Sequence, residues 1–199
     1  MSEAERLLVS RAQQGDDGAF TQLVEAYQVP VYRLCYRMLG GNVHDAEDAA
    51  QETFLRAYKA LRRYDSKRSF ATWLLSIAAH HCIDITRKRR MRLVSLETFT
   101  GQILPDSNPL PEKVVFQNER QREVQALLSA LSPTDRAAVV LYYWYDYSYQ
   151  EIAEALSLTV SAVKSRLHRA RKRLAEAWQE NRQEHPFRME AQAHESPAL

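Results

Sequence analysis

Residues 160–174, with the sequence VSAVKSRLHRARKRL, combine a regular apolar pattern with a dense positive charge. Six of the fifteen residues are Lys or Arg, and none is Asp or Glu. The apolar residues recur at intervals of three and four, as on one face of an amphipathic helix. Lys and Arg side chains bind phosphate groups. The segment therefore predicts a helix that packs on its own domain by one face and presents its other faces to a polyanion.

The residues before this helix predict a helix-turn-helix. SYQE at 148–151 has the form of a capping box, which would begin a short helix ending at Leu156. Residues 157–159 would turn into the basic helix, which such a motif places in a DNA major groove. With Val163 facing inward, at 100° per residue, Ser165, His168 and Lys172 point away from the domain, and Lys164, Arg169, Arg171 and Arg173 flank them. The predicted DNA contacts are Lys164, Ser165, His168, Arg169, Arg171 and Lys172. A solvated basic helix in a protein–protein bundle is the alternative.

A second basic block lies upstream of the helix-turn-helix. Residues 54–92 carry 11 Lys or Arg against 2 Asp or Glu, whereas residues 1–53 carry 4 against 9. The net charge of the whole chain is only +2, so the charge is distributed in blocks. Two basic blocks separated by acidic stretches indicate two contacts with a polyanion.

Enzyme and metal chemistry is not indicated. His80, His81 and Cys82 are adjacent on a predicted helix, where neighbouring side chains point about 100° apart and cannot converge on one ion. The chain has no HExxH, P-loop or GxSxG motif, and its two cysteines lack CxxC spacing. We therefore expect neither an enzyme nor a bound metal or cofactor.

The sequence also indicates a cellular compartment. The N-terminus lacks the basic start and the apolar core of a signal peptide. No apolar run is long enough to span a bilayer. Two distant cysteines fit a reducing compartment. We expect a cytoplasmic protein without membrane insertion.

Helices must position these segments, because apolar residues recur at three and four almost throughout and only five glycines interrupt them. The predicted fold class is all-α, with two small helical domains joined by a flexible linker and the helix-turn-helix in the second. Asp45, with Asp48 three residues on, is the predicted N-cap of the third helix. The helices are expected at about 2–14, 17–39, 45–63, 70–90, 112–130, 132–145, 148–156 and 160–178.

Composition sets the domain boundaries. We predict a first domain at 1–92 and a second at 123–178. The segment 93–122 contains Pro105, Pro109 and Pro111 and little periodicity, as expected of a linker. The polar tail 179–199 is predicted to be disordered.

The third predicted helix carries an apolar residue on its polar face. Its apolar stripe includes Ala46, and Leu55 lies about 180° away, among Asp48, Gln51 and Glu52. An exposed leucine ringed by polar residues indicates a protein-binding face, although a single exposed leucine is also ordinary.

Four segments together resemble the successive signatures of the extracytoplasmic-function (ECF) sigma factors, the small two-domain subunits that direct bacterial RNA polymerase to promoters. They are DAEDAAQETFLRAYKAL, SFATWLLSIAAHHCIDITRKRR, LSPTDRAAVVLYYW and SYQEIAEALSLTVSAVKSRLHRARKRL, in the order and spacing of that family. The resemblance covers about residues 5–178, but no signature covers the linker or the tail. It implies initiation of transcription from specific promoters, in a stress or envelope response.

The resemblance implies roles for the first domain, which corresponds to sigma region 2. In the family this domain binds the β′ clamp helices of core RNA polymerase, melts the −10 element and captures a flipped base. The implied core polymerase contacts are Asp48, Gln51, Glu52, Leu55 and Arg56. The implied −10 contacts are Asp65, Ser66, Lys67, Arg68, Ser69 and His80. Phe70 and Trp73 could stack on bases or pack in the core, and core packing is favoured for Trp73.

The second domain corresponds to sigma region 4, which reads the −35 element. The resemblance assigns this reading to Lys164, Ser165, His168 and Arg169, and it adds a contact with the β flap of polymerase. It further implies a linker that approaches the polymerase active-site channel, and an anti-sigma factor wedged between the domains. His80 stands where the family often has Asn, and Ala162 where it often has Thr. The preferred −10 base and one phosphate contact are therefore expected to differ.

A dimeric transcriptional regulator is the rival interpretation. It would use the same helix-turn-helix to bind a palindrome without polymerase. The sensor domain of such a regulator has no need of the basic block at 54–92, and this block favours the sigma-factor interpretation.

Overall fold

The computed structural model describes residues 2–66, 68–100 and 119–184. Within these ranges the chain forms eight α-helices, one turn of 3₁₀ helix at Leu61–Arg63 and no strand, which confirms the all-α prediction. The helices are α1 Glu3–Gln13, α2 Asp17–Met38, α3 Val43–Ala60, α4 Phe70–Thr100, α5 Glu119–Ser129, α6 Pro133–Trp144, α7 Tyr149–Leu156 and α8 Val160–Glu184.

Helices α1 to α4 form the first unit, a bundle around α2. This helix packs against α1, α3 and α4, and α3 packs in turn on α4. Large side chains that α2 and α4 contribute, among them Leu23, Leu34 and Leu74, are at most 2% exposed. The predicted apolar stripe of α3 is buried, since Ala46, Ala49 and the other small residues of that face lie in the core.

The start of α3 differs from the sequence prediction. Asn42 is the N-cap, and its Oδ1 accepts a hydrogen bond from the Asp45 N–H at 3.1 Å. Gly40 and Gly41, with φ of 74° and 79°, turn the chain after α2 so that Asn42 reaches the extended conformation an N-cap needs. The prediction of Asp45 as N-cap, with Asp48 completing a capping box, was wrong. Asp45 instead pairs with Arg89 of α4.

Two helices extend beyond their predicted ends. Helix α4 continues to Thr100, and α5 is already helical at Glu119, so both margins of the predicted linker 93–122 are helical. Most of that linker, with its three prolines, lies outside the described residues. Helix α8 continues to Glu184, past the predicted start of a disordered tail at residue 179. The rest of the tail also lies outside the described residues.

Helices α5 to α8 form the second unit, and its local signals are as predicted. Ser132 caps α6 with Pro133 at the first helical position. Ser148 and Glu151 form the capping box that begins α7. The turn into α8 places Ser157 in the left-handed region, with φ of 54°. Helix α7 packs on α8, and Val163 and Leu167 are buried at their junction.

The two units also pack on each other. Helix α4 lies against α6 and α7, and α2 against α5 and α6, so that one buried core runs through both. At the boundary, Arg136 of α6 donates from Nη1 to the Met38 carbonyl oxygen at 2.7 Å. The Tyr145 hydroxyl donates to the Pro30 carbonyl oxygen at 2.6 Å.

The left-handed turn residue leads to a stability prediction. A non-glycine residue in this region costs roughly 1–2 kcal/mol, of which the greater entropy of unfolded glycine returns part. We expect Ser157→Gly to raise the free energy of unfolding by about 0.5–1 kcal/mol, measured by urea denaturation. Ala175→Gly, which places glycine in right-handed backbone on the exposed side of α8, should lower it by about 1 kcal/mol. Equal losses in the two variants would contradict the proposed strain at Ser157.

Candidate nucleic-acid and protein interfaces

The outer face of α8 is a continuous basic surface. The structure places all six predicted contact residues there, each with an exposed side chain: Lys164, Ser165, His168, Arg169, Arg171 and Lys172. On the opposite side Val163, Leu167 and Ala170 are at most 2% exposed. The Thr159 hydroxyl accepts a hydrogen bond from the Ala162 N–H at 3.1 Å and caps the helix. The helix is thus anchored by one face while its cations face solvent.

Arg166 is a residue of α8 that the outward-face analysis left out. It lies three residues after Val163, on the inner side of the helix, and its Nη1 is 2.8 Å from Asp135 Oδ1. The other carboxylate oxygen of Asp135 accepts from the hydroxyl of Ser132, the N-cap of α6. Arg166 therefore fixes the basic helix to the start of α6. The sequence does carry a signal for this contact. The helical pattern places Arg166 on the inner side of the helix, where a cation needs a partner.

A cation–π contact orders the first exposed cation of α8. The Lys164 ammonium lies 6.0 Å from the centroid of the Tyr149 ring, which stacks on Tyr142 at 5.6 Å. This contact holds the lysine at the N-terminal end of the helix, the part that enters a major groove in helix-turn-helix proteins.

The loop between α3 and α4 presents polar side chains to solvent. Asp65, Ser66, Arg68 and Ser69 are exposed, and Lys67 lies outside the described residues. The loop is anchored at its base, where the Tyr64 hydroxyl donates to the Arg68 carbonyl oxygen.

A second anchor precedes the loop. The Gln13 side-chain amide donates to the carbonyl oxygens of Leu61 and Tyr64, at 3.0 and 2.9 Å. Tyr64, which begins the loop, is therefore held both at its backbone carbonyl oxygen and at its side-chain hydroxyl. Sequence analysis gave no role to Gln13, and a polar residue on α1 carries no signal for a partner 48 residues away.

His80 lies on the same side of α4 as the end of this loop. It follows Ser69 by eleven residues, or about three helical turns, and its ring is exposed. The Nδ1 atom of His80 is 2.8 Å from the Ser76 carbonyl oxygen, which fixes the ring and leaves Nε2 facing outward. The structure therefore brings the described −10 candidates onto one surface.

The aromatic residues beside that surface belong to the core. Phe70 is 1% exposed, so it cannot stack on a base in this conformation. Trp73 is half-buried and packs against Tyr64 and Phe70, with ring centroids 4.8 and 5.5 Å apart. Core packing was the favoured prediction for Trp73.

The outer face of α3 carries the predicted protein contacts. Leu55 is 47% exposed, and Asp48, Gln51 and Arg56 are exposed around it. Glu52 is half-exposed and pairs with Arg56 at 2.7 Å, and this hydrogen bond lowers the pKa of the Glu52 carboxyl. The polar rim of Leu55 is thus partly neutralised.

An apolar groove continues this face toward α2. It has a volume of about 350 Å³, and it adjoins Gln51. Val29, at 50% exposure, forms part of its wall together with Val24 and Phe54. Sequence analysis missed the α2 side, because the groove exists only once α2 and α3 pack together.

Part of the basic cluster at the end of α4 has structural partners. Arg89 forms a bidentate ion pair with Asp45, at 2.6 and 2.8 Å, which lowers the pKa of that carboxyl. Arg87 donates to the Thr134 hydroxyl at 3.3 Å. Lys88 and Arg90 are exposed. The positive charge of residues 54–92, +9 in all, therefore has two uses. Part of it stabilises the fold, and part of it faces solvent, where a polyanion can bind.

The part of the chain that the structure describes lacks two features. It contains no cluster of His, Cys, Asp or Glu arranged to hold a metal ion. None of its helices is both long and apolar enough to cross a bilayer. The described residues thus form two helical units with a basic surface on α8, a polar surface at the start of α4, and an exposed leucine beside an apolar groove on α3.

Family models match both units. The Sigma-70 region 2 model matches residues 23–92, and the Sigma-70 region 4 model matches residues 121–174. The matched ranges contain every candidate contact residue named above for α3, α4 and α8.

Curated relatives cover most of the chain. The ECF RNA polymerase sigma factor SigW of Bacillus subtilis is 39% identical over 174 residues, which are 83% of this chain and 92% of SigW. The RNA polymerase sigma factor CnrH of Cupriavidus metallidurans is 33% identical over 181 residues, which are 87% of this chain and 93% of CnrH.

A solved structure agrees with these relatives. CnrH in complex with the cytosolic domain of CnrY is similar with a TM-score of 0.65 and 29% identity, over 89% of this chain and 99% of CnrH. The chain belongs to the ECF sigma factor family of RNA polymerase.

The position of His80 leads to a specificity prediction. Its side chain is exposed, so if the predicted −10 contact is right, a change there should alter base preference without unfolding the bundle. We expect His80→Asn to change the order in which the protein prefers −10 variants. The difference in recognition free energy between bases should shift by up to a few kcal/mol at one position, measured by in vitro transcription from a −10 library. The same ranking for both proteins, at equal melting temperature, would contradict the assignment.

Proposed function

We propose that this chain directs core RNA polymerase to promoters by using separate surfaces of its two units. The observation that carries the proposal is the presence, on one chain, of a solvated basic helix in a helix-turn-helix and an exposed leucine beside an apolar groove. These surfaces differ in chemistry, since one suits phosphates and base edges and the other suits a protein.

The α3 face is the proposed contact with the β′ clamp helices. Leu55 and the groove between α2 and α3 would receive apolar side chains of the clamp. Asp48, Gln51, Glu52 and Arg56 would form the polar rim that excludes water around them. The groove supports this role, because the apolar surface of Leu55 continues into it. Leu55 is therefore part of a larger apolar area and not an isolated exposed leucine.

The surface of loop 64–69 and α4 is the proposed −10 contact. Extruding a base from a duplex costs a few kcal/mol, which contacts to the base and the backbone must offset. The proposed contacts are Asp65, Ser66, Lys67, Arg68, Ser69 and His80. The anchoring of the loop by Tyr64 supports this, because a preorganised loop loses less entropy when it binds.

The outer face of α8 is the proposed −35 contact. Residues near its start, from Lys164 to Arg169, would reach base edges, and Arg171 and Lys172 would bind phosphates. The Arg166–Asp135 ion pair supports this role, because it fixes α8 to α6 and so holds the helix in place on its unit when α8 enters the DNA major groove.

Further partners follow from family membership. We propose that the second unit contacts the β flap of polymerase, that the protein acts in the cytoplasm in a stress or envelope response, and that an anti-sigma factor inhibits it. CnrH, which this chain resembles along most of its length, was solved with the cytosolic domain of CnrY bound.

The −35 assignment is tested by removing one base-reading cation. We expect Arg169→Ala to weaken −35 recognition by about 1–3 kcal/mol, measured by transcription from promoters with intact and scrambled −35 elements. Arg173→Ala is the matched control, because Arg173 is already engaged with Glu176 and Glu180 on the same helix. If the Arg169 variant is as active as wild type on the intact promoter and on the scrambled one, the assignment is wrong.

The polymerase contact is tested at Leu55. We expect Leu55→Asp to cost several kcal/mol in binding to core polymerase, because it would bury an unpaired charge in an apolar contact. Stability should change by only about half a kcal/mol, since the site is on the surface. The measurements are a pull-down with core enzyme and thermal melting.

Leu7→Asp on α1 is the control for the Leu55 variant, since Leu7 is 61% exposed and lies away from the groove. It should bind core enzyme as wild type does. A Leu55 variant that melts normally and binds normally would remove this face from the interface. A wild-type protein that binds a palindrome but never core enzyme would favour the dimeric regulator.

A further inference from the structure

The exposed ring of His80 has its hydrogen-bonding polarity fixed by its own helix. Its Nδ1 atom lies 2.8 Å from the carbonyl oxygen of Ser76, one turn earlier on α4. A carbonyl oxygen carries no proton and can only accept, so Nδ1 must carry the proton of this hydrogen bond. In the neutral ring the other nitrogen, Nε2, then has a lone pair and no proton. The outward end of the side chain is therefore a hydrogen-bond acceptor.

The turns of α4 on either side of His80 add no donor that would offset this polarity. The hydroxyl of Ser76 donates to the Trp73 carbonyl oxygen at 2.7 Å, so its proton is already engaged. Asp84, one turn after His80, is exposed, and an ionised carboxylate has acceptors only. This part of α4 therefore presents acceptors to a ligand that approaches His80.

The bases of DNA differ in how they meet such an acceptor. A flipped base offers its Watson–Crick edge to the protein. Adenine, cytosine and guanine each carry an exocyclic amino group there, and the amino group donates hydrogen bonds. Thymine has no amino group, and its one N–H lies between two carbonyl oxygens. The lone pairs of those oxygens would face the lone pair of Nε2 with no hydrogen between them. An acceptor at the tip of His80 therefore distinguishes the three amino-bearing bases from thymine.

We propose that the Ser76 carbonyl group makes His80 an acceptor, so that the surface formed by loop 64–69 and α4 selects an amino-bearing base and rejects thymine at the position that His80 contacts. The proposal rests on the proposed −10 contact and adds to it the chemical class of the base. The polarity of the ring follows from the hydrogen bond to Ser76 alone.

Asn, which the family often has at this position, would read the base differently. Its side chain carries both a carbonyl oxygen and an amino group, and rotation can present either one. It can therefore accept from an amino group or donate to a carbonyl oxygen. His80 has a single presentation while its Nδ1 is engaged by Ser76. The change in preference expected for His80→Asn thus has a direction, in which thymine becomes acceptable.

The protonation of the ring is measured first, by NMR on the full chain labelled with ¹⁵N-histidine. Couplings between the ring nitrogens and the carbon-bound ring hydrogens distinguish a protonated nitrogen from an unprotonated one. The resonances of His80 are those lost in His80→Gln. We expect a protonated Nδ1 and an unprotonated Nε2 at the slightly alkaline pH of the binding buffer. The reverse tautomer, or a ring protonated on both nitrogens, would overturn the proposal.

The base preference is then measured with single-stranded DNA. Core polymerase carrying the full-length protein is titrated with fluorescent oligonucleotides of the non-template −10 strand. At the position that responds to His80→Asn, adenine is compared with purine, which is adenine without its amino group, and with thymine. Cytosine and its amino-free analogue pyrimidin-2-one form a second pair. We expect each amino-bearing base to bind about three- to tenfold more tightly than its analogue, the range for one hydrogen bond, and thymine to bind no better than purine.

His80→Lys reverses the polarity, because Lys has three donors and no acceptor. This variant should bind adenine and purine equally and should prefer thymine, whose carbonyl oxygens accept. His44→Lys is the matched control, since the His44 side chain is 87% exposed at the start of α3. The adjacent Asp45 pairs with Arg89, about 13 Å along α4 from His80. The same substitution at this remote position should leave the base preference unchanged, and thermal melting checks that both variants are folded.

Two binding results would also overturn the proposal. If wild type binds thymine as tightly as adenine, the surface does not select an amino group. If wild type and His80→Lys show the same preference for adenine over purine, a residue other than His80 contacts that group. A third result separates the proposal from the function it rests on. If the protein adds no affinity for any −10 oligonucleotide to that of core polymerase alone, the proposed −10 contact fails and base selection fails with it, whereas the polarity of the ring is still decided by NMR.

Discussion

Each helix that carries function in this protein must bury one face completely and leave another face free. In α8 the buried face includes Val163, Leu167 and Ala170, and burial of each larger side chain contributes about 1.5–3 kcal/mol. That contribution holds a helix with six Lys or Arg between residues 160 and 174 in place despite their mutual repulsion. Helix α3 follows the same division, with small residues inside and Leu55 outside. The remaining features of the molecule position these two free faces.

Arginines bound to the ends of neighbouring helices do much of this positioning. Arg166 joins α8 to the start of α6, and Arg89 joins α4 to the start of α3, each through an aspartate in the first turn of the partner helix. A carboxylate at a helix N-terminus is favoured by the helix dipole, and the arginine adds a charge-assisted hydrogen bond. Arg136 uses the opposite ends of helices, where carbonyl groups accept. The basic character of the chain therefore comes from two sets of cations, one for ligands and one for the fold.

Periodicity and capping residues predicted the fold class, most helix spans and the exposed face of α8, because these depend on local sequence. Ser132 and Ser148 begin their helices as predicted, since a serine cap is satisfied within three residues. The start of α3 was mispredicted, because two glycines made Asn42 available as an earlier cap. The groove beside Leu55, the Gln13 anchor and the Arg136 contacts join residues distant in sequence. The bond from Arg136 to Met38 spans 98 residues, and no local pattern encodes such a pairing.

The choice of promoters that this chain gives core polymerase can be measured by transcribing genomic DNA in vitro with core polymerase, with and without the protein, and sequencing the 5′ ends of the transcripts. We expect new start sites that appear only with the protein and share two upstream elements, centred near −10 and −35. Transcripts no more abundant than with core polymerase alone, or start sites that share a single palindrome, would contradict it.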